Sequence, residues 1–288
     1  MNHFTQSIRF LFYFAGILLA LHSSLCPAAL ADAPGPSLTK EEISRLFHEA
    51  NQLFAEGNRL ALSDPEKAED RYRGSILRFE RIIKDGGIEN GKLYYNIGNI
   101  YFRLKDIGRA IVNYRRAEQY IPGDINLQTN LEFARNIRKD RIAEKQETKI
   151  LKTVFFWHYD LSLKTRIILF TFFFALLWVF AGVRIFIKKP ALVWLTGMCA
   201  GLSVLFCCSA AVDVIGFHRA IPGVILSEEV IARKGNSASY EKSFKEPLHA
   251  GTEFVLLENR GSWLRVELPD ARTCWVPSSE VELVREGL

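Results

Sequence analysis

The stretch Leu93–Pro122, "LYYNIGNIYFRLKDIGRAIVNYRRAEQYIP", decides how this chain is read. Tyr94, Ile97, Gly98 and Tyr101 fall at i, i+3, i+4 and i+7, so they share one face of a helix. The segment "LKDIG" breaks the pattern. Ala110, Tyr114 and Ala117 then rebuild it on a second helix that Pro122 ends. The small residues Gly98 and Ala110 let two antiparallel helices approach closely, and the tyrosines fill the space beside them. No nucleophile, base or metal ligand clusters nearby, so the aromatics are packing first.

Gly91–Asp124 forms one helix–turn–helix unit with this spacing. It resembles the tetratricopeptide repeat (TPR), whose signature positions are filled here by Tyr94, Ile97, Gly98, Tyr101, Ala110, Tyr114, Ala117 and Pro122. A weaker unit lies upstream. Leu46, Ala50 and Leu53 read as its first helix, and Ser75 and Phe79 align with Ala110 and Tyr114. The intervening "RLALSDPEKAEDRYR" is longer than the repeat expects, which predicts an insertion or elongated helices. Downstream, Leu127, Leu131 and Ala134 mark a capping helix over 125–142, because a repeat cannot bury its outer face alone. The TPR domain is thus expected over 40–135. Its first helices should form a concave face bordered by Lys92, Tyr95, Asn96, Asn99 and Arg103. That face suits an extended or helical peptide, including one ending in a carboxylate, although each of these polar residues is equally at home on a solvated helix.

Working outward, the N-terminus carries Arg9, the apolar run Phe10–Leu21 and small residues at Ala29 and Ala31. These are the features of a signal peptide over 1–31, cleaved after Ala31, with an uncleaved membrane anchor as the alternative. Leu25 stands where a lipid-attachment motif at Cys26 would need a small residue. Two long uncharged stretches follow in the second half and predict membrane helices over 167–187 and 191–212. The Lys188–Lys189–Pro190 turn makes them a hairpin, so the flanking aqueous parts share one side. The basic tip and the signal peptide together put those parts in the periplasm. In the juxtamembrane linker, 136–165, Phe155, Phe156, Trp157 and Tyr159 suit the headgroup layer, which assigns His158 and Asp160 to the interface rather than to catalysis. Cys199, Cys207 and Cys208 read as small apolar residues within the second span, and no disulfide framework follows.

From Gly223 onward the period changes to two, with Gly, Pro and Asn as punctuation. Gly261–Val266 and Cys274–Val276 resemble the paired "G-W-x-x-V" and "G-W-V" strands of the bacterial SH3-like (SH3b) family, with Cys274 in place of the usual glycine and a turn or bulge there correspondingly altered. The resemblance implies a small barrel over 222–288 with Val255, Leu257, Leu264, Val266 and Val276 in its core. It also implies a groove lined by Tyr240, Trp263 and Trp275, although both tryptophans suit the barrel core as well, Trp263 more so than Trp275.

The expected architecture is therefore a multidomain membrane protein: all-α TPR hairpins, a two-helix transmembrane hairpin and a small all-β SH3-like barrel. That order of parts, with "LYYNIGN" and "FFWHYDLSLKTR", resembles the BatE-type TPR proteins of the Bacteroides aerotolerance (Bat) operon. The resemblance implies partnership with membrane-anchored von Willebrand A-domain proteins and, indirectly, a MoxR-type ATPase, in the bacterial inner membrane. It points to a scaffold of the cell envelope, with a peptidoglycan tether acting through the SH3-like part as the alternative. A net charge of +5, spread over mixed helical faces, argues against a nucleic-acid partner. His48, His158, His218 and His249 show no companion nucleophile or metal ligand at useful spacing, so neither an enzyme nor a cofactor or metal site is expected.

Overall fold

The computed structural model describes residues 38–142, 155–217 and 221–285. The expected signal peptide over 1–31, the 143–154 part of the juxtamembrane linker and His218 lie outside these residues. Five helices come first: α1 (Lys40–Leu60), α2 (Pro65–Lys84), α3 (Gly91–Arg103), α4 (Ile107–Tyr120) and α5 (Ile125–Ile137). Each begins at a side chain that accepts from a backbone N–H of the first turn, namely Thr39, Asp64, Asn90, Asp106 and Asp124. Such caps satisfy donors that a helix leaves free at its start. Thr39 and Glu42 cap reciprocally, and Pro65 sits where its missing N–H is harmless.

The helices pack as antiparallel pairs, α1 on α2 and α3 on α4, with α5 against α4. The first pair settles the length question raised by the sequence. Its helices run 21 and 20 residues against 13 and 14 in the second, and only a short turn separates them. The extra chain is helix, not an inserted loop. Gly98 is required by close approach, since a Cβ there would lie 2.6 Å from the Tyr114 ring. Lys105 takes a left-handed conformation (φ 61°) in the turn between α3 and α4, a position that ordinarily favours glycine.

Helix α5 ends at Ile137, five residues short of the expected boundary. Arg138 is extended, and the chain beyond it turns onto the sheet, where the Asp140 carboxylate accepts from the backbone N–H of His249 at 2.7 Å. Then come a single turn, α6 (Phe156–Tyr159), and two long apolar helices, α7 (Leu163–Phe186) and α8 (Pro190–Phe217). Both are long and apolar enough to cross a membrane. Helix α7 begins at Leu163, four residues earlier than expected, because Ser162 caps it, whereas α8 opens at Pro190, one residue early, and runs on past Val212.

The last element is a five-stranded antiparallel sheet of β1 (Ile221–Ile225), β2 (Glu253–Asn259), β3 (Trp263–Glu267), β4 (Thr273–Pro277) and β5 (Val281–Leu283), ordered β4-β3-β2-β1-β5. Its buried side includes Ile225, Phe254, Leu264, Val266, Cys274 and Val276. Two of the expected core residues are corrected. Val255 faces away from that core, and Leu257 is 46% exposed at a bulge between Leu256 and Glu258. The run "FVLL" offers apolar residues in both registers, and a one-residue slip exchanges the faces. Phe254, the larger side chain, takes the inside. Cys274 causes no bulge: β3 and β4 pair continuously from Trp263↔Pro277 to Glu267↔Thr273.

Helices and sheet are not separate bodies. Val224 and Val284 of the sheet region share one core with Ile111, Tyr114, Leu127 and Leu131. At Gly108 the backbones nearly touch: a Cβ there would sit 2.8 Å from the Ile225 carbonyl oxygen.

Candidate functional site

The five residues expected on a concave stripe divide into two kinds. Tyr95 and Asn99 are committed internally. Asn130 on α5 donates to both the Tyr95 hydroxyl (3.0 Å) and Asn99 Oδ1 (2.9 Å), and the Tyr114 hydroxyl donates to the same Asn99 oxygen at 2.9 Å. This network ties α3, α4 and α5 together, and its loss would strand buried polar groups. Lys92 and Arg103 are exposed and Asn96 half-buried, and among the described residues none of the three makes a hydrogen bond. They are available to a ligand. Phe133, 56% exposed, packs edge-on to Phe102 at 5.6 Å between ring centroids and extends the same face with apolar surface. Neither Phe133 nor Asn130 was anticipated. The capping-helix pattern Leu127, Leu131 and Ala134 marks the buried face of α5 and gives no signal for the opposite one, where Phe133 lies.

The three aromatic candidates on the sheet differ in setting. Trp263 and Trp275 lie on the outer face of β3 and β4, opposite Leu264 and Val276. Trp275 is nonetheless buried, covered by the Arg260 guanidinium 5.1 Å from its ring and tied by two backbone hydrogen bonds to Arg233. Trp263 is only half-buried, so the tryptophan more withdrawn from solvent is Trp275. Arg233 also donates to the Tyr240 carbonyl at 3.0 Å, which joins the exposed Tyr240 to this edge.

The densest electrostatics lie at the helix–sheet seam. Glu253 at the start of β2 accepts from Arg135 through both oxygens at 2.7 Å, with Arg138 at 3.2 Å and Arg115 at 3.3 Å. Burial pushes the Glu253 carboxyl up, but the Arg135 hydrogen bonds and the three positive charges outweigh it and hold it at about 2. Arg116 on α4 donates to the carbonyls of Leu283 and Val284, both at 3.0 Å, and pairs with Glu282 at 2.8 Å. It thereby blunts the sheet's β5 end, which would otherwise offer free carbonyls to another strand. At the far end of the seam Asp140 accepts from the Thr252 hydroxyl at 2.6 Å and from His249 Nδ1 at 2.7 Å. His249 therefore has a companion that sequence spacing concealed, since the partners are 109 positions apart.

His158 also has companions. It lies 2.9 Å from the Ser209 hydroxyl through Nδ1 and 3.4 Å from Asp213 through Nε2. On distance alone this is a serine–histidine–aspartate set. However, Arg166, only 2% exposed, donates to His158 Nδ1 at 2.7 Å and to Ser209 Oγ at 2.9 Å, and is ion-paired with Asp213. A nitrogen already accepting from a guanidinium, with that positive charge beside it, is a poor base for the serine proton. The cluster fastens α6, α7 and α8 to one another. Among the described residues no three His, Cys, Asp or Glu side chains converge to hold a metal ion. Burial pushes the Cys274 thiol up to about 12, which leaves it unreactive at neutral pH.

Set beside protein-family models, curated proteins and solved structures, the chain matches none of them, so its functional reading rests on this geometry.

Proposed function

We propose that this protein is a membrane-anchored scaffold of the bacterial cell envelope, a BatE-type protein in which two TPR units with a capping helix and an SH3-like barrel act as one binding body. Its partners on this reading are von Willebrand A-domain membrane proteins and, through them, a MoxR-type ATPase. One observation carries the reading. The helical array and the sheet share a core and a charged seam, yet two apolar helices separate them in the chain. A seam of that kind requires both parts on one side of the membrane, as a hairpin provides. The periplasmic side is the reading drawn from the basic tip and the N-terminal segment.

The binding face is the open part of the concave stripe, with Lys92, Asn96 and Arg103 as polar contacts and Phe133 as an apolar one. The role is non-enzymatic: it is supported by the Arg166 guanidinium that occupies the His158 nitrogen next to Ser209. Reporter fusions at residue 140, at residue 288 and in the 187–190 tip test the topology. Site-specific photocrosslinking at Lys92 and Arg103 in intact cells tests the partner. Capture of a von Willebrand A-domain protein from either position is expected. Opposite-side reporters, or crosslinks to no membrane protein, would overturn the proposal.

The outer tryptophan face supports a second reading, in which Trp263, Trp275 and Tyr240 hold peptidoglycan. Because Val224 and Val284 are packed on the helices, the full chain in detergent is the right sample for sedimentation with sacculi. Pelleting that persists in a Trp263→Ala variant would remove this reading.

A further inference from the structure

The seam that joins helices and sheet also encloses a cleft of about 840 Å³, lined by the α3–α4 turn, the end of α5 and the loops after β1. Ile107, Leu226 and Ala250 give it apolar walls, and Lys105, Arg138 and Lys139 bring positive charge to it. His249, which lines it, is 7% exposed, and its Nε2 has no hydrogen-bond partner. Arg138, another lining residue, has an equally unpartnered Nε. Buried polar atoms without partners are uncommon and ask for an explanation.

The Glu229 side chain supplies one. Its carboxylate stands 3.9 Å from His249 Nε2 and 3.7 Å from Lys139 Nζ, too far to hydrogen-bond with either. It is 64% exposed and hence free to swing away. A carboxylate thus already hovers at the mouth of a site whose donors it does not satisfy.

We propose that this cleft is a receptor for a carboxylate borne on an apolar residue of a polypeptide partner, and that Glu229 is the internal competitor the ligand displaces. The proposal deepens the scaffold reading and rests on it for the polypeptide nature of the ligand. The incoming carboxylate accepts from His249 Nε2 and Lys139 Nζ, while its apolar side chain lies against Ile107 and Leu226. His249 Nδ1–H donates to Asp140, so Nε2 offers a proton in the imidazolium form. Asp140 lies behind the ring, the ligand carboxylate would lie in front of it, and Glu229 and Glu228 line the same cleft. Arg138, Lys139, Lys105 and the Asp106–Arg109 pair across the cleft set the surrounding field. The source of the carboxylate, a chain terminus or an acidic side chain, is separated by the test.

The experiment uses the full chain in lipid nanodiscs with its histidine rings isotopically labelled, titrated with three small probes. N-acetyl-leucine carries a terminal carboxylate, N-acetylglutamate α-amide a side-chain carboxylate, and N-acetyl-leucinamide none. The His249 ring resonance is expected to move toward the imidazolium position with N-acetyl-leucine. Binding of the amide is expected to be weaker by roughly tenfold, the worth of one charge-assisted hydrogen bond. Glu229→Gln, at an exposed position that folding does not need, is expected to tighten N-acetyl-leucine binding several-fold, whereas His249→Gln reduces it to the level of the amide. A merely structural His249 would not produce opposite signs in these two variants. Equal binding of acid and amide, no ring shift with either acid, or a Glu229→Gln variant that binds no tighter would each overturn the site. Binding of the probe together with failed partner crosslinking would instead overturn the scaffold reading and leave the site standing.

Discussion

Replacing Glu253 with glutamine tests the account of the seam most directly. Its carboxyl sits at about 2 against an ordinary 4.5. At about 1.4 kcal/mol per unit, that difference is worth about 3 kcal/mol of docking between helices and sheet. A carboxyl with a lowered pKa stabilises fully above its unfolded value, and the contribution disappears as pH falls from about 4.5 toward about 2. At pH 7 the substitution removes this contribution and leaves Arg115, Arg135 and Arg138 facing a neutral amide. Breaking a buried pair from one side costs about 3–5 kcal/mol in general, the same scale. Energy transfer between fluorophores placed at the exposed Leu62 and Leu257 reads the seam under a urea titration. With a slope of roughly 1–3 kcal/mol per molar, the midpoint should drop by about 1–3 M in Glu253→Gln. Acidified wild type should converge on the variant. An unchanged midpoint at pH 7, or a wild-type seam indifferent to acid, would refute the reasoning.

Gly98→Ala puts a methyl group against the Tyr114 ring; it should cost about 1–3 kcal/mol by overpacking, seen as a lower urea midpoint for helical circular dichroism. Lys105→Gly relieves a left-handed backbone and should raise that midpoint by an amount equivalent to about 0.5–1 kcal/mol, the strain glycine avoids less its greater unfolded freedom. Cys274, buried with its thiol pushed up to about 12, should resist iodoacetamide at pH 8 in the folded protein and react once urea is added, as mass spectrometry would report.

The second helix pair was legible because its signal is local. Tyr94, Gly98, Ala110 and Tyr114 encode a helix pair through spacing alone, and all four lie in the observed second pair, with Pro122 just past its end. The apolar helices were equally plain, since length and composition suffice. What stayed hidden is whatever joins distant parts of the chain. Arg115, Arg135 and Arg138 look like solvated helix charges until Glu253 arrives from the sheet, and Arg166 looks like a flank of α7 until Asp213 meets it from α8. Tyr95 and Asn99 sit on the face where helical counting put them, yet Asn130 claims them. The sheet register failed for a different reason: in "FVLL" both alternating sets are apolar, so period two does not choose between them.

Arg116 grasps carbonyls 167 and 168 positions further along the chain. During synthesis, then, the face of α4 that carries Gly108 and Ile111 stands uncovered until the sheet, with Ile225 and Gly251, has emerged. Closing so long a loop is entropically costly and slow in a free chain, but the intervening packed pair α7 and α8 returns the polypeptide to where it left. On the proposed reading, membrane integration is thereby a folding step for the aqueous body, and a message truncated before Val284 would yield a protein with an open, adhesive flank on α4.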